Sequence, residues 1–246
     1  SFERLQVDYL DLYQLHCVSR AGWRKILDEG AWEVLRQMKR SGRIRHLGAS
    51  AHERAAALEV MDHPEIEVIQ WPFNFLVEQE ARPVLEKCRR RDIGFIAMKP
   101  FAGGVLEDAG LCLRFLLQYP EAVPDPGFES TAQIDEVVEV VRQGGPLSPQ
   151  DRAALEKRRA ELGLRFCRRC GYCQPCEHGV AIELLMNMES LIRRFAPAKV
   201  LQGPFAQAAA TVEQCQDCGR CEDKCPYQLP IRQEIRRGAR LWEELK

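Results

Sequence analysis

Eight of the eleven cysteines fall in two runs. One is CRRCGYCQPC, with Cys167, Cys170, Cys173 and Cys176; the other is CQDCGRCEDKCP, with Cys215, Cys218, Cys221 and Cys225 ahead of Pro226. The second run has the spacing C-x2-C-x2-C-x3-C-P. Its first three thiolates wrap one corner of an iron–sulfur cubane, and the fourth, offset by an extra residue and a proline, reaches a second cluster. The first run is a degenerate partner, C-x2-C-x2-C-x2-C, with Glu177 where the other has proline. If the fourth cysteines cross over, one [4Fe-4S] cluster takes Cys167, Cys170, Cys173 and Cys225, and the other takes Cys215, Cys218, Cys221 and Cys176. Gly171 and Gly219 each follow the second cysteine of a run, where a tight turn brings backbone N–H groups toward cluster sulfur. Zinc is the competing occupant, since eight thiols could hold two tetrahedral ions, but a zinc knuckle uses only two cysteines of each run. Either metal calls for a reducing compartment. Cys17, Cys88 and Cys112 lie outside the runs on apolar segments and read as buried, inert core thiols.

The residues ahead of the cysteines alternate between two textures. Apolar runs rich in Ile, Val, Leu and Tyr, at Tyr9–Leu15, Ile44–Gly48, Ile66–Trp71, Ile93–Met98 and a weaker one at Ala122–Val123, read as buried strands. Between them run helical periodicities such as Trp32, Leu35, Met38 and Ala81, Val84, Leu85, Cys88, with Gly42 ending the first as a helix stop. This alternation predicts consecutive parallel strands with right-handed helical crossovers, an α/β layer that is either a barrel or an open doubly wound sheet. Five strands do not close an eight-stranded barrel, so a (β/α)8 TIM barrel requires about three further βα units upstream. The chain begins at Ser1, already inside an amphipathic pattern, which reads as a fragment. Beyond Gly144, Gly145 and Pro146 the strand signal ends. Ser148 and Asp151 form a capping-box pattern around Pro149, opening a charged helix to about Leu162, and further helices are expected near Ile182–Phe195 and Pro230–Leu245. Residues 1–146 therefore read as the partial barrel, and 147–246 as a mainly α-helical module built on the cysteines.

At 246 residues and 46% hydrophobic, the chain has material for a sizeable core. Lysine plus arginine, 35, nearly balances aspartate plus glutamate, 36, so charge gives no reason to expect nucleic acid or an anionic membrane as partner. The lack of a long apolar run or signal-peptide order points to a soluble, cytoplasmic protein.

The sequence DYLDLYQLH places His16 at the C-terminal end of the first strand, the face where α/β barrels keep their chemistry. Together with GRIRHLGAS, VIQWPFNFL, IGFIAMKPFAGG and VPDPGFESTAQIDE, it resembles strands four to eight of the aldo-keto reductases, over roughly residues 1–143. The cysteine module is similar to the ferredoxin-type domain of that family's iron–sulfur subgroup. The resemblance implies NAD(P)-linked reduction of a carbonyl, or oxidation of an alcohol, by a tetrad of Asp, Tyr, Lys and His. Only the histidine falls in this chain, at His16, so the chain alone is expected to lack reductase activity. The resemblance also implies that Gln70, beside Ser50, holds the nicotinamide carboxamide. Met98 stands where many members stack a tyrosine, and Ala51 replaces the usual asparagine. Lys99, Phe101 and Gly103 in KPFAGG would line the pyrophosphate, and Gly127 would be a further cofactor-binding residue. Asp125, Glu129 and Gln133 stand where many members present basic residues to the 2′-phosphate, which tilts the expectation toward NAD over NADP.

The leading reading is an iron–sulfur oxidoreductase of aldo-keto reductase type, acting on a small carbonyl or alcohol, whose clusters pass electrons to a redox partner protein, act on a substrate radical or serve as a structural staple. Nicotinamides exchange hydride and clusters single electrons, so the two need a converter, and no flavin motif is evident. A non-catalytic electron-transfer module on a barrel scaffold and a zinc-stabilised interaction protein are the alternatives.

Overall fold

A computed structural model describes residues 1–128, 130–163, 165–169, 171–225 and 227–246. Contacts divide the chain into two compact units, one of residues 1–102 and 108–148, the other of residues 103–107 and 149–246.

The first unit is an α/β layer. Its strands β1 (Leu10–Leu15), β2 (Ile44–Ser50), β3 (Val68–Pro72), β4 (Gly94–Met98) and β5 (Ala122–Asp125) lie in that order in one sheet, and every pair is parallel. Successive strands are joined through helices, among them Ala31–Arg40, Glu78–Arg91 and Ala109–Leu116, as parallel pairing demands. Side chains alternate across the sheet. Leu47, Ala49, Ile69, Trp71, Phe95 and Ala97 are buried on one face, while Val68, Gln70, Ile96 and Met98 on the other are only partly buried and Val123 is 62% exposed. The expected buried strands are thus fully covered on one side only. Phe73, at the end of β3, packs edge-on against Phe95 and Tyr119, with ring centroids 5.8 and 4.9 Å apart.

Gly42 ends the helix Ala31–Arg40 as expected, at φ 75°. Its N–H donates to the Lys39 carbonyl and that of Arg43 to Met38, the paired bonds of a Schellman turn. Gly48 is needed for packing: a Cβ there would sit 2.7 Å from the Val68 carbonyl oxygen and 3.3 Å from Cγ of Gln14.

In the second unit, Pro149–Leu162 is helical as expected, but the helix expected over Ile182–Phe195 is broken. Asn187 separates Ile182–Met186 from Met188–Arg194, its side-chain amide donating back to the Glu183 carbonyl at 2.7 Å. Helices Pro197–Val200 and Gly203–Ala210 were not foreseen, because alanine and glycine leave little apolar periodicity there. The C-terminal helix Ile231–Glu244 packs against both halves of the broken helix. Its Gly238 allows the approach, since a Cβ would run into the Leu185 carbonyl oxygen and stand 3.2 Å from Cβ of Met188. Trp242 anchors the far end, donating from Nε1 to the Val200 carbonyl at 2.9 Å. Among the described residues, no helix is long and apolar enough to cross a membrane.

Cys88 and Cys112 are buried, and burial pushes both thiols up to about 12. Cys17, expected in the core, is instead exposed: it follows β1 in a turn at φ 54°, which carries its side chain off the sheet.

Two outcomes follow from this packing. Gly238→Ala should destabilise the second unit by about 1–3 kcal/mol through backbone overpacking; an unchanged urea midpoint would show that the helices can separate freely. In the native chain at about pH 8, iodoacetamide should modify Cys17 and spare Cys88 and Cys112, whose raised values keep them as neutral thiols. Peptide mass spectrometry reads the result, and early labelling of Cys88 would contradict their burial.

Candidate functional site

The cysteine runs occupy turns rather than regular structure. Arg169 and Gly171 in the first run, and Asp217 and Gly219 in the second, all have positive φ, and the short helix Arg220–Asp223 starts directly after Gly219. The expected tight turn after the second cysteine is present in both runs. Cys170 and Pro226 lie outside the described residues.

What gathers the thiols is an apolar cluster of Val180, Ile182, Leu185, Leu229, Ile231 and Ile235. Packed against it, partly buried, are Cys167, Cys173, Cys176, Cys215, Cys221 and Cys225. The second run is tied to the C-terminal helix by Glu222. Its carboxylate accepts from the Arg232 backbone N–H at 2.9 Å and from Nη2 of the same residue at 2.7 Å, contacts that hold the carboxyl below its usual range. Arg236 bonds Asp217 from the next turn of that helix. In the first run, Arg168 lies over the ring of Tyr227, 4.1 Å from its centroid, which joins this run to the end of the second.

The thiols surround two clefts. Cys176, Cys215, Cys218 and Cys221 line one, with Val180, Arg220 and Ile235. Cys167 and Cys225 line the other, with Met186, Tyr227 and Ile231. Cys173 borders both. Each cleft thus joins sulfurs from both runs over an apolar floor, a donor set suited to iron–sulfur ligation. All the described cysteines are free thiols. Among the described residues, no three His, Cys, Asp or Glu side chains stand close enough together to hold one metal ion. The Cys218 thiol is held below its ordinary value by a hydrogen bond from Arg220, whereas burial raises that of Cys221.

In the first unit, the residues singled out at strand ends share the C-terminal edge of the sheet. His16 follows β1 and is exposed; Ser50, Gln70 and Met98 lie at or near the ends of β2, β3 and β4. Ser50 is buried, and its Oγ accepts from the Cys17 backbone N–H at 2.8 Å, so it holds the turn that carries His16 and Cys17. Lys99 has φ 56°, and its carbonyl accepts from Asn74 Nδ2 at 3.0 Å and from the Ala102 N–H at 2.9 Å, which closes the KPFAGG turn. Phe101 is partly buried in that turn and Gly127 is exposed after β5. Gly103 belongs to the second unit, where its carbonyl accepts from Ser190 Oγ at 2.6 Å.

Gln70 has partners that sequence reasoning missed. Its Nε2 donates to Asp125 Oδ2 at 2.8 Å and its Oε1 accepts from Gln14 Nε2 at 3.1 Å, giving a polar strip that runs from β1 to β5. An ionised carboxylate only accepts, so Asp125 fixes the sense of the Gln70 amide. Asp125, expected near a 2′-phosphate, instead ends β5 as the register partner of Met98 and bonds Gln70. Glu129 lies outside the described residues. Gln14 faces Gly48 in register, and a side chain at position 48 would obstruct its reach. An inward glutamine opposite a glycine was the available signal.

Comparison with known proteins agrees with this division. A family model described as the aldo/keto reductase family matches residues 1–111, and one described as a 4Fe-4S dicluster domain matches residues 166–230. An uncharacterized oxidoreductase of Schizosaccharomyces pombe is 30% identical over 162 residues, covering 59% of this chain and 50% of its own. The NADH-specific methylglyoxal reductase of Escherichia coli is 28% identical over 106 residues, 43% of this chain and 32% of its own. The chain spans half or less of the length of these relatives. Among solved structures, an aldo-keto reductase from Bacillus halodurans in its holo form aligns with a TM-score of 0.54 at 21% identity over 63% of each chain. One from Klebsiella pneumoniae in complex with NADP and acetate gives 0.52 at 20% over 63% of this chain and 61% of its own. At such identity the likeness establishes the fold, a partial (β/α)8 barrel. The dicluster match favours iron–sulfur over zinc for the cysteines. Two family models thus match separate parts of the chain, the aldo/keto reductase model ahead of the cysteines and the 4Fe-4S dicluster model across them.

Proposed function

We propose that the chain belongs to an iron–sulfur oxidoreductase in which residues 147–246 hold two [4Fe-4S] clusters with crossed ligand sets. The observation that carries this reading is the exchange of fourth cysteines between the clefts: Cys176 stands with Cys215, Cys218 and Cys221, and Cys225 stands with Cys167. With Cys170 and Cys173 completing the second set, each cubane has four thiolates, drawn three from one run and one from the other. Bound clusters supply one-electron transfer, and a soluble redox partner in a reducing, cytoplasmic setting is the matching acceptor or donor.

For residues 1–146 we propose the nicotinamide-binding face of an NAD(P)-linked carbonyl or alcohol oxidoreductase. Gln70, held in one sense by Asp125, presents a carbonyl oxygen to accept from the carboxamide of a nicotinamide and an N–H to donate to it. His16, exposed beyond β1, orients a substrate carbonyl by a hydrogen bond. Ser50 holds the turn behind it. Met98 packs the nicotinamide ring, and Lys99, Phe101, Gly103 and Gly127 line the pyrophosphate. A nicotinamide supplies hydride and the clusters single electrons, so a further two-to-one converter belongs between the two.

Anaerobic reconstitution should give about eight iron and about eight sulfide per chain, with thiolate-to-iron absorption bleached by dithionite. Iron near four per chain would defeat the crossed pair. Gln70→Ala should weaken NADH binding, followed by fluorescence titration, about tenfold, the loss expected for one or two hydrogen bonds to a carboxamide. Equal affinity in the variant would remove Gln70 from the cofactor site.

A further inference from the structure

Arg220 sits between the second and third cysteines of the second run and makes three different contacts. Its Nε donates to Cys218 Sγ at 3.4 Å, its Nη1 to the Glu177 carboxylate, and its Nη2 lies 3.2 Å from His178 Nε2. Guanidinium has no acceptor, so His178 Nε2 must accept and the ring proton rests on Nδ1. Glu177 and His178 directly follow Cys176, so the arginine bridges the two runs at the cleft that Cys176, Cys215, Cys218 and Cys221 share. Glu177 also occupies the position where the second run has proline.

Stability does not account for this arrangement. The side chains of Arg220 and Glu177 are 45% and 58% exposed, and so open an ion pair adds little to folding. The contact with consequence is the one to sulfur. A hydrogen bond and a positive charge at a ligand sulfur favour the more negative, reduced state of an iron–sulfur cluster and raise its potential.

We propose that Arg220 raises the potential of the cluster ligated by Cys218, and that Glu177 and His178 are positioning residues that hold the guanidinium on the sulfur. The departure from proline at position 177 then has a role: it supplies the carboxylate that orients the tuning residue. The inference rests on the two-cluster reading proposed above.

The test is a potentiometric titration of the reconstituted chain, followed by electron paramagnetic resonance, with iron content measured in each sample. The wild-type chain should show two reduction steps. Arg220→Gln should move one step to lower potential and leave the other in place. Arg220→Lys, which keeps the charge but not the three-way planar fork, should fall between. Glu177→Ala should shift the same step in the same direction by less; a shift upward, the bare effect of losing a negative charge, would overturn its positioning role. If neither step moves in Arg220→Gln at wild-type iron content, or both move equally, the tuning is overturned while the two clusters stand. If Arg220→Gln loses iron, Arg220→Lys decides: a wild-type titration there overturns the proposal. A single step with iron near four per chain in the wild type defeats the two-cluster reading; the tuning survives that result only if the single step still falls in Arg220→Gln.

Discussion

The second unit depends on a single close approach of backbone to backbone, where Gly238 of the C-terminal helix meets the Leu185 carbonyl. That approach places Ile231 and Ile235 beside Val180, Ile182, Leu185 and Leu229 and so creates the apolar floor on which six of the cysteines pack. Turns rich in glycine and charge would not hold a fixed geometry alone; their positions come from this floor and from the Glu222 and Arg232 contacts at the start of the helix. Ligand position in the module is therefore a consequence of helix packing, with the polar contacts setting direction.

The first unit is organised by a different constraint, the parallel register of five strands. Because the register aligns strand ends, His16, Ser50, Gln70, Met98 and Asp125 come to one edge of the sheet, although they are spread over more than a hundred residues of chain. Within that edge, one charged group has an effect beyond its own contact. Asp125 accepts from Gln70, Gln70 accepts from Gln14, and the direction of the strip follows from the inability of a carboxylate to donate. Gly48 leaves the space that Gln14 crosses.

Much of this was legible beforehand, for identifiable reasons. Strands were readable because Ile, Val and Leu cluster where a parallel sheet buries them, and the stop at Gly42 was readable because a Schellman turn demands positive φ. Short helices such as Gly203–Ala210 were not, since small residues carry no periodic apolar signal. The break at Asn187 was missed because a continuous apolar pattern spans it, and only the return of its amide to Glu183 marks the boundary. Cys17 reads as a core thiol by its neighbours, yet the turn after β1 exposes it.

By itself, the amino-acid sequence determined the reactive side chains and their intervals, eight thiols in two runs, and the alternation that makes a parallel sheet. These are local properties, carried by residue type and spacing along the chain. Only the tertiary structure decided that Cys176 stands with the second run and Cys225 with the first, that Arg220 reaches Cys218 and Glu177 together, and that Asp125 serves Gln70. Each of these is a partnership between residues brought together by packing of distant segments. Distance along the chain carries no information about such contacts until the helices and strands are in place.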